Sequence, residues 1–129
     1  MTDETPEPNP GGAQFAPLEL IDLPELVEEI SDEWHHRTLA AVNDSVIRLG
    51  VVLGESDWYR LEDADEFFYL VDGELAIDVE GEGSIELEPA QGVTIPRGVR
   101  RRPRAPAAAV LLKVERAGAA ADARPDAPT

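Results

Sequence analysis

Cysteine is absent from this 129-residue chain, lysine occurs once, at Lys113, and histidine occurs only as the adjacent pair His35 and His36. Without cysteine there is no disulfide framework, no thiolate nucleophile and no cysteine metal site. Long apolar runs are also missing: none approaches the ~20 residues of a membrane-spanning helix. The N-terminal MTDETPEPNPGGAQ has neither the basic start nor the apolar stretch of a secretory signal, so a cytoplasmic protein is expected. Basic charge is scarce, with 11 Lys and Arg against 27 Asp and Glu and a formal net charge of -16. A surface that negative repels nucleic acid and anionic membranes, and neither is expected as a partner.

What is present fits one domain with one core. Residues 1–16 are acidic and proline-rich and read as a disordered leader; 117–129, built of Ala, Asp and Pro, read as a disordered tail. Between them, 17–116 form the folded unit. Asp22 and Pro24 mark a helix start, and Leu23, Leu26, Val27 and Ile30 recur at helical spacing. A short amphipathic helix over one end of the fold, stopping at Ser31-Asp32, follows from that pattern.

From Arg37 the period changes to two. Thr38 to Val42 and Ser45 to Leu53 read as strands around an Asn43-Asp44 turn. Beyond Trp58, short alternating runs are punctuated by Asp72-Gly73, Gly81 to Gly83 and Pro96-Arg97-Gly98, the signature of an antiparallel barrel or sandwich. Phe68, Leu70, Leu75, Ile77, Val79, Ile85, Leu87, Val93 and Ile95 are expected inside, with Asp72, Asp78, Glu80 and Glu86 on a wet face. In the last strand Val110, Leu112 and Val114 are expected inward, Lys113 and Glu115 outward. Phe67, Tyr69 and Val71 make the strand around Phe68 apolar on both faces, which calls for cover by a second sheet or a partner. A homodimer through that face is the expectation.

The motif region 54–105 resembles the small cupins, including the mannose-6-phosphate isomerase-like proteins. Gly54, Glu66 and Gly73 stand at positions of the first cupin motif, and Pro96 and Gly98 at positions of the second, with Ala90 in place of its leading glycine. The resemblance covers roughly residues 34–116. It implies an all-β, cupin-type jelly-roll β-barrel with one short N-terminal helix. Complete members hold one divalent metal on two histidines of a His-x-His, a glutamate and a last histidine. In this chain Tyr59 and Leu61 occupy the His-x-His positions and Arg101 the last one, so Glu66 alone survives. Leucine has no lone pair, arginine only donates, and tyrosine ligates poorly unless ionised. No metal and no other cofactor are therefore expected.

By the same resemblance, Tyr59, Leu61, Glu66 and Arg101 gather in the barrel, where Glu66 and Arg101 are expected to form a bidentate pair. His35 and His36 point to opposite faces of an extended chain and cannot share one ion, which argues against a relocated metal site. Arg97, Arg100, Arg101, Arg102 and Arg104 form the one basic cluster. Alternation sends Arg100 and Arg102 outward, toward acids such as Asp57, Glu62 or Asp63. A metal-free binding or interaction module, holding a small anionic ligand in the barrel, is the leading expectation. The alternative is a metal-free isomerase or epimerase on an anionic, sugar-like substrate, with Tyr59 as acid.

Overall fold

The computed structural model describes residues 9–30 and 35–124. The first half of the expected leader, the Ser31-Asp32 helix stop and the last residues of the tail lie outside the described residues. After a 3-10 turn at Pro10–Gly12, the described helix α1 spans Leu23–Glu29. The Asp22 carboxylate caps it, accepting from the Glu25 amide at 3.1 Å, and Pro24 sits in the first turn where no amide is needed. Nine strands follow among the described residues: β1 (His35–Val42), β2 (Ser45–Glu55), β3 (Trp58–Leu61), β4 (Glu66–Asp72), β5 (Leu75–Val79), β6 (Gly83–Leu87), β7 (Gly92–Ile95), β8 (Arg101–Arg116) and β9 (Ala121–Arg124). No described helix is long and apolar enough to cross a membrane.

All pairings are antiparallel, and the sixteen-residue β8 is their spine. It pairs with β2 and β3 along one edge and with β4 and β5 along the other, while β1 extends β2, β6 extends β5 and β7 extends β4. The sheet curls on itself as a jelly-roll barrel, the architecture expected from sequence. Asn43 takes the left-handed backbone (φ 54) in the β1–β2 turn, as that dipeptide permits.

Two apolar clusters form on opposite faces of this sheet. The barrel interior holds Phe68, Leu70, Leu75, Ile77, Val79, Leu87 and Ile95, with Ile85 and Val93 packed against them. The second cluster joins Leu26 of α1 to Leu39, Leu49, Val51 and Val110, with Phe15, Val71 and Leu112 at its margin. The helix therefore covers a sheet face and not one end of the barrel. Burying each large side chain in these clusters is worth about 1.5–3 kcal/mol.

Several expectations are corrected here. The phase of β8 is the reverse of the one expected: Ala109 and Leu111 face the barrel core, while Val110 and Leu112 join the outer cluster under α1. A strand apolar on both faces gives alternation nothing to decide with. Val71 packs against that outer cluster within its own chain, and all three residues expected at a dimer face, Phe67, Tyr69 and Val71, are half-buried. Asp78 is buried, not on the wet face, because Arg102 and Arg104 close over it.

The expected solvated ends are also partly built in. Gln14 and Phe15 donate backbone hydrogen bonds to Thr38 and Leu39 of β1, and Ala13 is buried. In the tail, β9 pairs with β3 from Trp58↔Arg124 to Leu61↔Ala121. Asp122 fixes it, since the buried Arg100 guanidinium donates to its carbonyl at 3.1 Å and its carboxylate at 2.9 Å. Composition alone could not show an ion pair that brings alanines to a sheet edge.

Gly73 shows how closely the barrel is wound. Its φ is +97°, and a Cβ there would lie 3.0 Å from Ala109 Cα and 3.1 Å from the Ala108 carbonyl oxygen. At Gly98, with φ +77°, a Cβ would meet nothing within 4 Å. Gly98→Ala should therefore lose only the cost of a left-handed backbone, about 1–2 kcal/mol, and Gly73→Ala should lose clearly more in urea denaturation. Equal losses would show that the approach of β8 is not what requires Gly73.

Candidate functional site

Three of the four residues expected in the barrel, Tyr59, Glu66 and Arg101, meet where β3, β4 and β8 begin, while Leu61, buried at the end of β3, makes no polar contact with them. Tyr59 and Arg101 are cross-strand partners on β3 and β8, and Glu66 opens β4 opposite Ile95 and Glu115. Leu61 is 2% exposed, Glu66 1% and Arg101 0%. Three groups answer the buried Glu66 carboxylate. The Tyr59 hydroxyl donates to Oε1 at 2.6 Å, Lys113 Nζ stands 3.6 Å from Oε2, and Arg101 Nη1 is 3.9 Å from Oε1.

The expected bidentate Arg101–Glu66 fork does not form. Arg101 Nη2 instead donates to the carbonyls of Ile95 (3.4 Å) and Pro96 (3.2 Å). Its Nε and Nη1 have no hydrogen-bond partner among the described residues. The guanidinium stacks on the Tyr59 ring, 5.2 Å from its centroid. Both charges share the interior, but Tyr59 has taken the short hydrogen bond.

Lys113 and Glu115, expected outward, point inward because of the reversed phase of β8. The Lys113 side chain is 12% exposed, and the 7%-exposed Glu115 lies 3.4 Å from Arg48 Nη1 of β2. The interior thus carries a charge ladder, Arg48–Glu115–Lys113–Glu66–Tyr59–Arg101. The buried carboxylates Glu66 and Glu115 face the buried cations Lys113 and Arg101, and Arg48, about one-third exposed, closes the outer end. The signal available in sequence was the single lysine of the chain in an otherwise apolar strand, together with the unanswered question of what neutralises Glu66.

Environment sets the protonation of two of these groups. Burial, then the negative charge of Glu66, pushes the Tyr59 phenol well above its ordinary value, so it is a hydrogen-bond donor throughout the neutral range. Burial, then Glu66 again, raises the Glu115 carboxyl above its usual range, with Lys113 and Arg48 opposing.

Beside the ladder is an interior cavity of about 60 Å3. Lys113, Tyr59 and Ser56 give it a polar side, and Val52, Phe68 and Leu111 an apolar one. His36, an exposed residue, also lines it and marks its mouth. Arg101 sits behind the Tyr59 ring and does not line the cavity. The side chain of His35 lies outside the described residues.

The rest of the basic cluster is occupied by its own chain. Arg100 is held by Asp122, and Arg102 and Arg104 converge on Asp78 at 2.7 and 3.0 Å. Burial alone would raise the Asp78 carboxyl, but Ser84, Arg102 and Arg104 hold it below its ordinary value. Arg102 also stacks on Trp58, 5.1 Å from the ring centroid. The expected outward contacts with Asp57, Glu62 and Asp63 are thus replaced by Asp78 and Asp122.

The metal that complete cupins hold does not fit these residues. The four corresponding positions offer an alkyl side chain, a guanidinium, a protonated phenol and one carboxylate already facing two cations. Among the described residues no group of three or more His, Asp or Glu could hold an ion. A divalent cation here would add positive charge beside Arg101 and Lys113.

The fold and this site define a barrel of the double-stranded β-helix class, and comparison with known proteins places it more narrowly. No protein-family model matches the chain. It is 33% identical over 90 residues to the uncharacterized protein YdbB of Bacillus subtilis, across 70% of this chain and 80% of that one. A cupin-2 domain containing protein from Shewanella frigidimarina superposes with a TM-score of 0.72 at 28% identity, covering 75% of this chain and 94% of that one. The chain belongs to the cupin family. A hydroquinone 1,2-dioxygenase, PnpCD, shares the fold alone, with a TM-score of 0.62 at 20% identity over 72% of this chain and 70% of that one.

The Tyr59–Glu66 hydrogen bond sets a measurable alkaline limb. With the folded phenol raised, its contribution is fully present below the ordinary tyrosine value. Above it the unfolded chain loses the proton first, and stability falls as pH rises. Tyr59→Phe should cost about 1–3 kcal/mol at neutral pH and flatten that limb in denaturation above pH ~10. An alkaline limb as steep in the variant as in the wild type would show that Tyr59 titrates freely.

Proposed function

We propose that this cupin is a metal-independent binding module whose ligand site is the interior cavity at Tyr59 and Lys113. One observation carries the reading: Glu66, the one surviving member of the family's ligand set, faces Arg101 and Lys113 and accepts from Tyr59. A cation has no place in that arrangement, and an anion has Lys113 to meet. Elemental analysis of purified protein should find no stoichiometric transition metal, and added Mn, Ni or Zn salts should not raise the melting temperature. One metal per chain, lost on Glu66→Ala, would overturn the reading.

A second reading is favoured by His36, which lines the same cavity as Tyr59. An imidazole and a protonated phenol around one ligand are the parts of a metal-free isomerase or epimerase. The small cavity argues against a sugar-sized substrate, which is why binding ranks first. Hydrogen–deuterium exchange into small anionic sugar derivatives, abolished by both His36→Ala and Tyr59→Phe, would reverse that order.

We also propose that the chain forms a homodimer through the sheet face carrying Phe67 and Tyr69. Both are half-exposed on adjoining positions of β4, and Phe67 packs so closely over Gly92 that a Cβ there would be 2.7 Å from its ring. An apolar face on a protein of charge -16 calls for cover. Sedimentation at moderate salt should give a dimer that Phe67→Glu dissociates; a monomeric wild type at high concentration excludes it.

A further inference from the structure

We propose, resting on the binding-module reading above, that the interior cavity takes a short-chain monocarboxylate of the formate-to-propionate class, with Lys113 as its charge partner. Three features of the cavity select that class: charge, size and polarity.

The charge comes from the loose hold of Glu66 on its cations. Arg48 answers Glu115 at 3.4 Å, which leaves Glu66 shared between Arg101 at 3.9 Å and Lys113 at 3.6 Å. Both distances exceed hydrogen-bond length, so neither cation is tightly held by Glu66. Of the two cations, Arg101 is sealed behind Tyr59, while Lys113 lines the cavity. Its ammonium carries three donors on a flexible stem, so it can turn to an incoming anion without leaving Glu66 altogether. A small monoanion is the ligand that Lys113 is placed to meet.

The size limit is set by the volume. About 60 Å3 is less than half of the ~150 Å3 cavity that takes a benzene ring, so a ligand is limited to a few heavy atoms. A sugar acid or nucleotide exceeds that severalfold. Polarity then separates carboxylates from inorganic anions of similar size. Lys113, Tyr59 and Ser56 bound one side, and Val52, Phe68 and Leu111 the other. A carboxylate with a methyl or ethyl group matches both sides, whereas phosphate or nitrate would place oxygens against Phe68 and Leu111 without partners.

The test titrates formate, acetate, propionate, hexanoate, gluconate, chloride and phosphate at constant ionic strength, by thermal shift and by NMR chemical-shift perturbation. Acetate or propionate should give saturable shifts at Lys113, Phe68 and Leu111, with intermolecular NOEs from the ligand methyl to Leu111 and Val52. Chloride and phosphate should not. Lys113→Met should weaken acetate binding at least tenfold while the circular dichroism of the barrel is retained. Leu111→Ala should shift the preference toward hexanoate. Should either variant fail to fold, the wild-type NOEs alone decide the assignment.

Acetate and propionate without saturable perturbation overturn the proposal. If gluconate then binds with Lys113-dependent perturbations, the binding-module reading survives and only the size class is wrong. If no anion binds at the cavity, both fall. Binding of chloride equal to that of acetate, unaffected by Lys113→Met, also overturns the proposal, because it would reduce the effect to general anion screening.

Discussion

The interior of this barrel depends on how one carboxylate is neutralised. Glu66 is 1% exposed, at a place where complete relatives oppose a glutamate with a doubly charged metal. An ionised carboxylate cannot stay so deep without a counter-charge. This chain answers with side chains: a phenol at 2.6 Å, an ammonium at 3.6 Å and a guanidinium at 3.9 Å. None of the three makes a bidentate ion pair. The short contact is the neutral one, and the charged partners stand slightly further off. The negative charge is thus spread over a ladder that ends at Arg48 on one side and Arg101 on the other. Removing any rung leaves a neighbour unpaired in a low-dielectric interior.

The ladder exists because β8 is long enough to serve four neighbours. Its first residues place Arg101 beside Tyr59, and its last residues place Lys113 and Glu115 opposite β4. Between them Ala105, Ala109 and Leu111 pack into the core. One strand therefore carries apolar packing at its centre and charge at both ends. The same strand turns Val110 and Leu112 toward α1, so the inner and outer clusters share a backbone. A slip of one residue would exchange Lys113 and Glu115 with the apolar side chains beneath the helix, and burial on both faces is what forbids it.

Much of the fold was legible because turn chemistry and period-two alternation agree in this chain. The interior residues from Phe68 to Ile95 followed from alternation, and Gly73 and Asn43 from the backbone conformations their turns require. The convergence of Tyr59, Glu66 and Arg101 followed from motif spacing. Legibility failed where the pattern carried no information. In AAVLLKVER every phase buries something apolar, so the inward choice of Lys113 depended on tertiary packing. Asp78 looked like an ordinary outward residue, and only the partner strand shows that Arg102 and Arg104 cover it. Residues 121–124 alternate as Ala-Asp-Ala-Arg over too short a run to set a strand; Asp122 meeting the buried Arg100 fixes β9 in place.

Exchanging a metal for tethered cations changes what the barrel can do, and the consequence follows from geometry. A bound metal offers an open coordination position, so its charge is available to a substrate. Arg101 is sealed behind Tyr59 and held by the carbonyls of Ile95 and Pro96, so its charge serves the fold. Lys113 combines positive charge with access to the cavity, and it comes from a strand position that the family's metal motif does not include. On the proposed reading, ligand chemistry in this barrel runs through Lys113 and the neutral donors beside it. On that reading the usable charge lies toward the far end of β8 and not at β3 and the start of β8. That displacement, more than the missing histidines, separates this chain from its metal-binding relatives.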